Sequence, residues 1–506
     1  MGVFGRGAAS RISIRSIHLR NTTNFVVPEN YKPNRSLLKQ LPWKAGLDIW
    51  WKSLSPNRLS DLQKDLVEFM LPSHLQENQR IIKEFKKTTI DDKGNYINEV
   101  GFKIINNKDK PTKHLVFIHG YGASLGCFAR NFQIINKFKD TDYNYHVHFL
   151  DNLTFGLSSN PRVNNDTINY WRIPATAIVK LFDKTPTDSK KLYRKYYKLI
   201  EGYQLDPENF EKYRSYFTPI LKDLENFYCS AIEKWRLNSD IESIDYLVGH
   251  SFGGYWCGSY ALKYPENVNN LVLLSPVGIK RHVQAVTNTD PISDRIEVPT
   301  LDPTSYKFLS RLPILSKKHV LSWYYKLPHL PRLLPFLGPW GAQLYFKMWM
   351  GKLYKINKLI DKHGGAQAIF NSNNDLVYGS EKELTLIIEY LYNSITSGTN
   401  SDIYSRYLLT TATTSKWPLY DKFYQAVKED PAKLKFKFHI MYGQFDFMNS
   451  EAGEKLVKLL NENKVGAKYY EINEGGHNLY IDNPFDTNQK IFEIVLQDAT
   501  KANNND

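Results

Sequence analysis

The sequence predicts an α/β fold: a mostly parallel central sheet with helices on both faces and a large, mainly helical cap insertion. Three observations carry this. Short continuous apolar runs alternate with helical patterns, as expected for strands buried on both faces and joined by crossover helices. The alternation is interrupted on a large scale by residues 277–432, which stand between two core strands. That span is far beyond an ordinary connection and reads as a cap or lid. A chain of 506 residues with 42% hydrophobic content is also long enough for one large core carrying such an insertion.

In chain order, residues 1–28 contain Arg6, Arg11, Arg15 and Arg20, no acid and only scattered apolar residues. That is the composition of a mitochondrial targeting segment, the plainer alternative being a disordered basic tail. The opening "MGVFGR" lacks the Ser or Thr of a myristoylation signal, because Arg6 stands there. Residues 29–84 form a basic, aromatic lead with Trp43, Trp50 and Trp51. The first part of the core, 85–276, has strand-like runs at 97–105, 114–120, 146–151, 244–251 and 270–276, with helical patterns at 208–237 and 252–264. Residues 161–207 lengthen the link before the long helix, and the cap follows at 277–432. The second part, 433–500, has strands at 437–443 and 467–473 and helices at 450–463 and 484–498. The last helix has a start signal in Asn483 as cap and Pro484 in its first turn. Residues 501–506 read as a disordered tail.

The net charge is +14, and its placement matters more than its size. The first window supplies four of the excess cations, and residues 303–360 hold ten Lys and Arg with no acid. Charge concentrated in this way predicts anionic partners at two places. No nucleic-acid-binding motif accompanies it. Cys127, Cys229 and Cys257 make no disulfide framework and no metal spacing, which suggests a reducing compartment. The sequon at Asn152 falls in a loop read below as part of an active site, where a glycan would block access. No apolar run approaches the ~18 residues of a membrane span, so membrane contact is expected to be peripheral.

The pattern Gly-x-Ser-x-Gly occurs twice, as "GHSFG" at 249–253 and "GASLG" at 122–126. A nucleophilic serine on this motif needs a strand that turns sharply into a helix, with glycines where the backbone passes close. Gly249, His250, Gly253 and Gly254 surround Ser251 in that context. The strand before Ser124 has already ended at His119 and Gly120, so Ser124 reads as part of a glycine-rich loop. A serine hydroxyl needs a base, and the base needs an orienting carboxylate. Asp446, in "YGQFDFM", and His477, in "NEGGHNLY", each follow a predicted strand end and so reach the same sheet edge as Ser251. Singly, each reads as an ordinary loop residue; three at successive strand ends point to a triad. A tetrahedral intermediate then needs two amide donors. One is expected from Phe252 and the other from "HGYGAS", at Tyr121 or next to it at Gly122.

The stretches at 119–132, 151–159 (opening on Asp151), 235–256, 442–448 and 475–484 together resemble the α/β-hydrolases. They are most similar to the fungal mitochondrial cardiolipin deacylase and lysophosphatidic acid acyltransferase branch. The resemblance covers about 85–278 and 435–500. It implies a serine ester hydrolase of phospholipase A type, releasing monolysocardiolipin from cardiolipin. The first alternative is an acyl-CoA-dependent lysophosphatidic acid acyltransferase. The second is a non-catalytic lipid-surface scaffold, which the retained Ser251 disfavours. The branch carries a His-x4-Asp motif, here His477 to Asp482, associated with acyl transfer. In this chain His477 already serves the triad, and Asp482 precedes a helix, where a carboxylate is favourable in any case. No metal or organic cofactor is implied.

The cap gives a separate argument for a lipid. Between 317 and 350, Lys317, Lys318, Lys326 and Arg332 are interleaved with Trp323, Tyr324, Tyr325, Phe336, Trp340, Phe346 and Trp349. Periodicity alone favours an ordinary core stripe with a solvated basic face. The absence of acids tips the reading toward an anionic phospholipid surface, with aromatics entering the headgroup boundary and cations staying at the phosphates. The expected location is peripheral, on the matrix side of the mitochondrial inner membrane.

Overall fold

The protein is described by a computed structural model. It covers residues 43–71, 80–169, 203–281, 334–353, 378–396, 399–410 and 414–503, with short stretches within 174–181 and 284–293 and single residues 356 and 359. The targeting segment at 1–28 lies outside the described residues, as do Lys317, Lys318, Trp323, Tyr324, Tyr325, Lys326 and Arg332.

The core is an eight-stranded sheet. Its strands are β1 (Ile81–Thr89), β2 (Tyr96–Ile104), β3 (Thr112–Ile118), β4 (Asn144–Leu150), β5 (Ile244–His250), β6 (Val268–Leu274), β7 (Lys437–Gly443) and β8 (Ala467–Ile472). Their spatial order is β1-β2-β4-β3-β5-β6-β7-β8. β2 is antiparallel to both β1 and β4, and every pairing from β4 onward is parallel. Three short strands at 179–181, 203–205 and 292–293 make a separate small sheet. Among the described residues no helix is long and apolar enough to cross a membrane.

Side chains alternate across the sheet with a period of two, and the core divides accordingly. In β3, Val116 and Ile118 join the apolar cluster on one face, while Leu115 and Phe117 join the other. The first face is covered by α3 (Pro207–Leu237), α4 (Ser251–Lys263), α8 (Leu419–Glu429) and α9 (Ser450–Glu462). The second is covered by α2 (Arg58–Met70), the 3-10 stretch Leu125–Phe138, α5 (Pro339–Leu353), α6 (Glu381–Thr396) and α10 (Pro484–Asn503). Two more helices add to these faces: α7 (Ser401–Leu408) places Tyr404, Tyr407 and Leu408 in the first cluster, and α1 (Trp43–Lys52) places Ile49 in the second. The 31-residue α3 starts where the sequence allows it: Pro207 leads, and the Asp206 carboxylate accepts the Asn209 N–H.

Three features differ from the sequence expectation. β1 begins at Ile81, inside the stretch expected to be a lead. Its "IIKEFKKTT" is an exposed sheet edge kept polar by lysines, which hides the strand's apolar signal. Second, α1 and α2 are not merely a lead, since Leu62, Leu66 and Met70 of α2 are buried in the second cluster. Third, the end of the expected cap packs into the core. Arg130 Nε lies 2.6 Å from Glu383 Oε1 with both side chains buried, Arg58 pairs with Glu389, and Leu419 packs against Gly258.

Candidate active site

β5 is buried throughout and passes into α4 with no intervening residue. Ser251 sits at that junction with φ +50°, a left-handed conformation that side chains other than glycine seldom adopt. The flanking glycines make the turn possible. A Cβ on Gly253 would lie 2.3 Å from the His119 carbonyl oxygen, and one on Gly249 would lie 2.6 Å from Cys257 Sγ. His119 carries the loop after β3, so the tight contact at Gly253 presses that loop against the start of α4.

Two other strand ends deliver the partners. His477 Nε2 is 3.0 Å from Ser251 Oγ, and its Nδ1 is 3.2 Å from Asp446 Oδ1. That carboxylate oxygen also accepts the Met448 N–H at 2.9 Å. Burial works against the charge on Asp446, but the His477 hydrogen bond and charge and the Met448 amide outweigh it and hold the carboxyl below its ordinary range. Asp446 is buried while the His477 side chain keeps 18% of its exposure. The base is thus oriented from the protein side and open to the reactant side. The ring of Phe447, itself half exposed, packs 4.5 Å from the His477 ring.

The supporting residues have distinct tasks. His250 Nε2–H donates to the His477 carbonyl at 2.9 Å, which fixes the loop carrying the base. The other end of that loop is held by Asp482, whose carboxylate accepts the Gly476 N–H at 2.9 Å. Sequence reasoning assigned Asp482 to the following helix; there, Asn483 caps, accepting the Asp486 N–H, and Asp482 belongs to the His477 loop. His119 is a brace between loops. Its Nδ1–H donates to the Gly120 carbonyl at 2.8 Å and its Nε2 accepts the Asn152 N–H at 3.0 Å. Burial pulls its pKa down to about 4, in keeping with a neutral ring used in both directions. Asp151 accepts from Leu125 N, Leu157 N and Asn98 Nδ2, tying three segments together. Asn152 is buried, so the sequon is not on the surface.

For the oxyanion, Phe252 lies in the first turn of α4, where amides have no acceptor within the helix. A Cβ on Gly120 would stand 3.1 Å from Ser251 Cβ, so the backbone leading to Tyr121 runs alongside Ser251. Gly122 follows at φ +67°. The Tyr121 ring meets the Phe252 ring edge-on at 6.1 Å, and its hydroxyl donates to Asp402 on α7. Asp402 was not singled out from sequence. It lies 281 residues from Tyr121, and no local pattern signals that contact. Ser124, the serine of the second motif, is fully buried with its Oγ 2.6 Å from Ser394 Oγ, far from a nucleophile's exposure.

Among the described residues, the histidine group placed to hold a metal ion is His114, His146 and His148, on the body of the sheet and not at this edge. Of the cap residues expected at a membrane, Phe336 and Trp340 are exposed, at 82% and 68%. Trp349 is half-buried. Phe346 is a correction: it is buried in the second core cluster, because α5 turns that side toward the sheet-covering helices.

A strand-to-helix serine, a later acid and a final histidine on this strand order define the α/β-hydrolase class, and the chain belongs to that family. The α/β-hydrolase fold family matches residues 113–317. Protein ECM18 of Saccharomyces cerevisiae is 30% identical over 468 residues, covering 91% of this chain and 85% of the yeast protein. A probable 1-acylglycerol-3-phosphate O-acyltransferase of Oryza sativa subsp. japonica is 22% identical, covering 89% and 83%. The 1-acylglycerol-3-phosphate O-acyltransferase ICT1 of Saccharomyces cerevisiae is 25% identical, covering 73% and 78%.

Proposed function

We propose that this protein is a serine acylhydrolase of anionic glycerophospholipids that removes one acyl chain from cardiolipin. The observation that carries the reading is the continuous chain of contacts from Ser251 Oγ to His477 Nε2 at 3.0 Å and from His477 Nδ1 to Asp446 at 3.2 Å. In this mechanism Ser251 Oγ attacks the acyl carbonyl carbon while its proton passes to His477 Nε2. Asp446 steadies the imidazolium, and the Phe252 and Tyr121 amides receive the oxyanion, with Gly122 beside them. As the tetrahedral intermediate collapses, the ester C–O bond breaks and His477 protonates the departing lysolipid oxygen. Water, deprotonated by the same ring, then releases the fatty acid from Ser251.

The lipid assignment draws support from an exposed apolar surface. Phe336, Leu337, Trp340, Leu344 and Met348 at and near α5 adjoin α1, where Trp51 and, just past the helix, Leu54 are also exposed. The helices approach closely because Gly46 has no side chain: a Cβ there would meet Gln343 Cβ at 2.7 Å. Exposed Lys347 and Lys352 accompany the patch. Such a surface suits peripheral binding to an anionic leaflet. The arginine-bearing first 28 residues support delivery to mitochondria, and the matrix face of the inner membrane is the proposed location.

The names of the rice and yeast relatives favour a second reading, in which acyl-CoA loads Ser251 and a lysophosphatidic acid hydroxyl replaces water as acceptor. One experiment addresses both. Purified protein and its Ser251→Ala variant are given cardiolipin vesicles, or labelled acyl-CoA with lysophosphatidic acid. Monolysocardiolipin formed only by the unmutated protein supports deacylation, and labelled phosphatidic acid formed only by it supports transfer. Absence of both products, with no fluorophosphonate labelling of Ser251, overturns the enzymatic reading and leaves a lipid-surface scaffold.

A further inference from the structure

Away from the Ser251 edge, three histidines meet within the sheet. His146 and His148 stand two positions apart on β4, so alternation sends both to one face. His114 on β3 is the in-register neighbour of His146. One ring nitrogen from each lies within 4.8 Å of the others. His114 Nδ1 and His148 Nε2 are 3.1 Å apart. Two nitrogens on one tetrahedral zinc, each bonded at about 2.0–2.1 Å, stand about 3.3 Å apart.

The surroundings prepare these rings as ligands. His148 Nδ1–H donates to Glu99 Oε1 at 2.6 Å, and the other Glu99 oxygen accepts the Trp235 Nε1–H at 3.0 Å. A carboxylate behind an imidazole is the arrangement that orients metal-bound histidines and raises their basicity, and it leaves the His148 Nε2 lone pair facing His114. His146 Nε2 is buried with no hydrogen-bond partner. Space for the ring exists because residue 101 is glycine: a Cβ there would lie 2.9 Å from His146 Nε2 and 3.2 Å from Glu99 Oε1. Glu84 Oε2 is 3.6 Å from His146 Nε2, while its other oxygen takes the Lys103 ammonium at 2.6 Å.

We propose that His114, His146 and His148 bind one divalent transition-metal ion, zinc fitting three imidazoles best, with Glu84 or a water as fourth ligand. The ion pins β3 to β4, and β1 as well where Glu84 is the fourth ligand, and takes no part in the chemistry at Ser251, since His114 lies about 16 Å of strand before His119. Sequence reasoning expected no metal because it looked for ligand spacing along the chain, whereas these ligands meet across strands.

The test uses full-length protein without a polyhistidine tag, stripped with a chelator and then titrated with Co2+ and Zn2+. The expected result is one equivalent of Co2+ with the visible absorption of a four-coordinate site, displaced by Zn2+, and a higher Tm with zinc than without. His146→Ala and His114→Gln each lower the affinity at least tenfold. His439→Ala, on β7, keeps full binding, and circular dichroism and fluorophosphonate labelling are unchanged in all three. If a variant fails to fold, the stoichiometry, absorption and Tm of the stripped wild-type protein decide. Uptake below a tenth of an equivalent at micromolar free zinc overturns the proposal, as do folded His146→Ala and His114→Gln proteins that bind as tightly as wild type.

Discussion

Replacing Ser251 by glycine and by alanine separates the backbone strain at this position from the chemistry proposed for its hydroxyl. Both substitutions remove Oγ and the 3.0 Å contact to His477, so both abolish fluorophosphonate labelling. They differ only in Cβ. At φ +50° a Cβ-bearing residue is in left-handed backbone, which is unfavourable by about 1–2 kcal/mol relative to glycine. Glycine gives back about 0.4–1 kcal/mol through the greater freedom of the unfolded chain. The difference leaves Ser251→Gly more stable than Ser251→Ala by roughly 0.5–1 kcal/mol. At an ordinary helix position the order is reversed by about 1 kcal/mol. Urea unfolding of the two proteins, compared at a common m-value, measures this directly. A glycine variant less stable than the alanine variant would refute the idea that the turn holds the serine under backbone strain.

Four further outcomes follow from the same contacts. Asp446→Asn removes the charge behind His477 and offers its Nδ1 the wrong partner, so kcat for ester cleavage falls by about 10⁴-fold with little change in KM. Tyr121→Phe releases the oxyanion loop from Asp402, and kcat is expected to fall on the order of tenfold, measured with a soluble ester. Arg130→Met leaves Glu383 buried without its partner, and urea unfolding should record a loss of about 3–5 kcal/mol. The native state also resists acid poorly. Burial lowers His119 to about 4 and His250 to about 3, against 6.5 for the free side chain. As pH falls from 6.5 toward 4 the unfolded chain binds protons that the native chain does not, so stability is lost across that window. Thermal unfolding at a series of pH values should show a shallower slope for His119→Asn.

The parts of this molecule written as continuous apolar runs were legible in the sequence. β5 and the turn at Ser251 are one unbroken statement, "YLVGHSFGG", because burial on both faces, close glycine contacts and the nucleophile all fall on adjacent residues. Asp446 and His477 were legible because each follows a strand end. β1 was not, since its lysine-rich edge carries no apolar period. The partners Asp402, Glu383 and Glu389 were hidden for another reason. They act on residues hundreds of positions away, and their own helices announce only amphipathicity. "HVHFLD" was read as a strand and nothing more, although its period of two already places His146 and His148 on one face. What it lacked was His114, which the parallel pairing of β3 with β4 supplies.

The pairing of Arg58 with Glu389 spans 331 residues, and that of Asn131 with Asn488 spans 357. A nascent chain therefore exposes the second face of its sheet long after the sheet's first strands have emerged. At about 5–20 residues per second, the wait between Arg58 and its partner is roughly 15–65 seconds of synthesis. During that interval an apolar surface and the Arg58 cation face water together. Folding of this sheet is therefore coupled to the completion of a chain segment made late, and the exposed face is most open to aggregation before then.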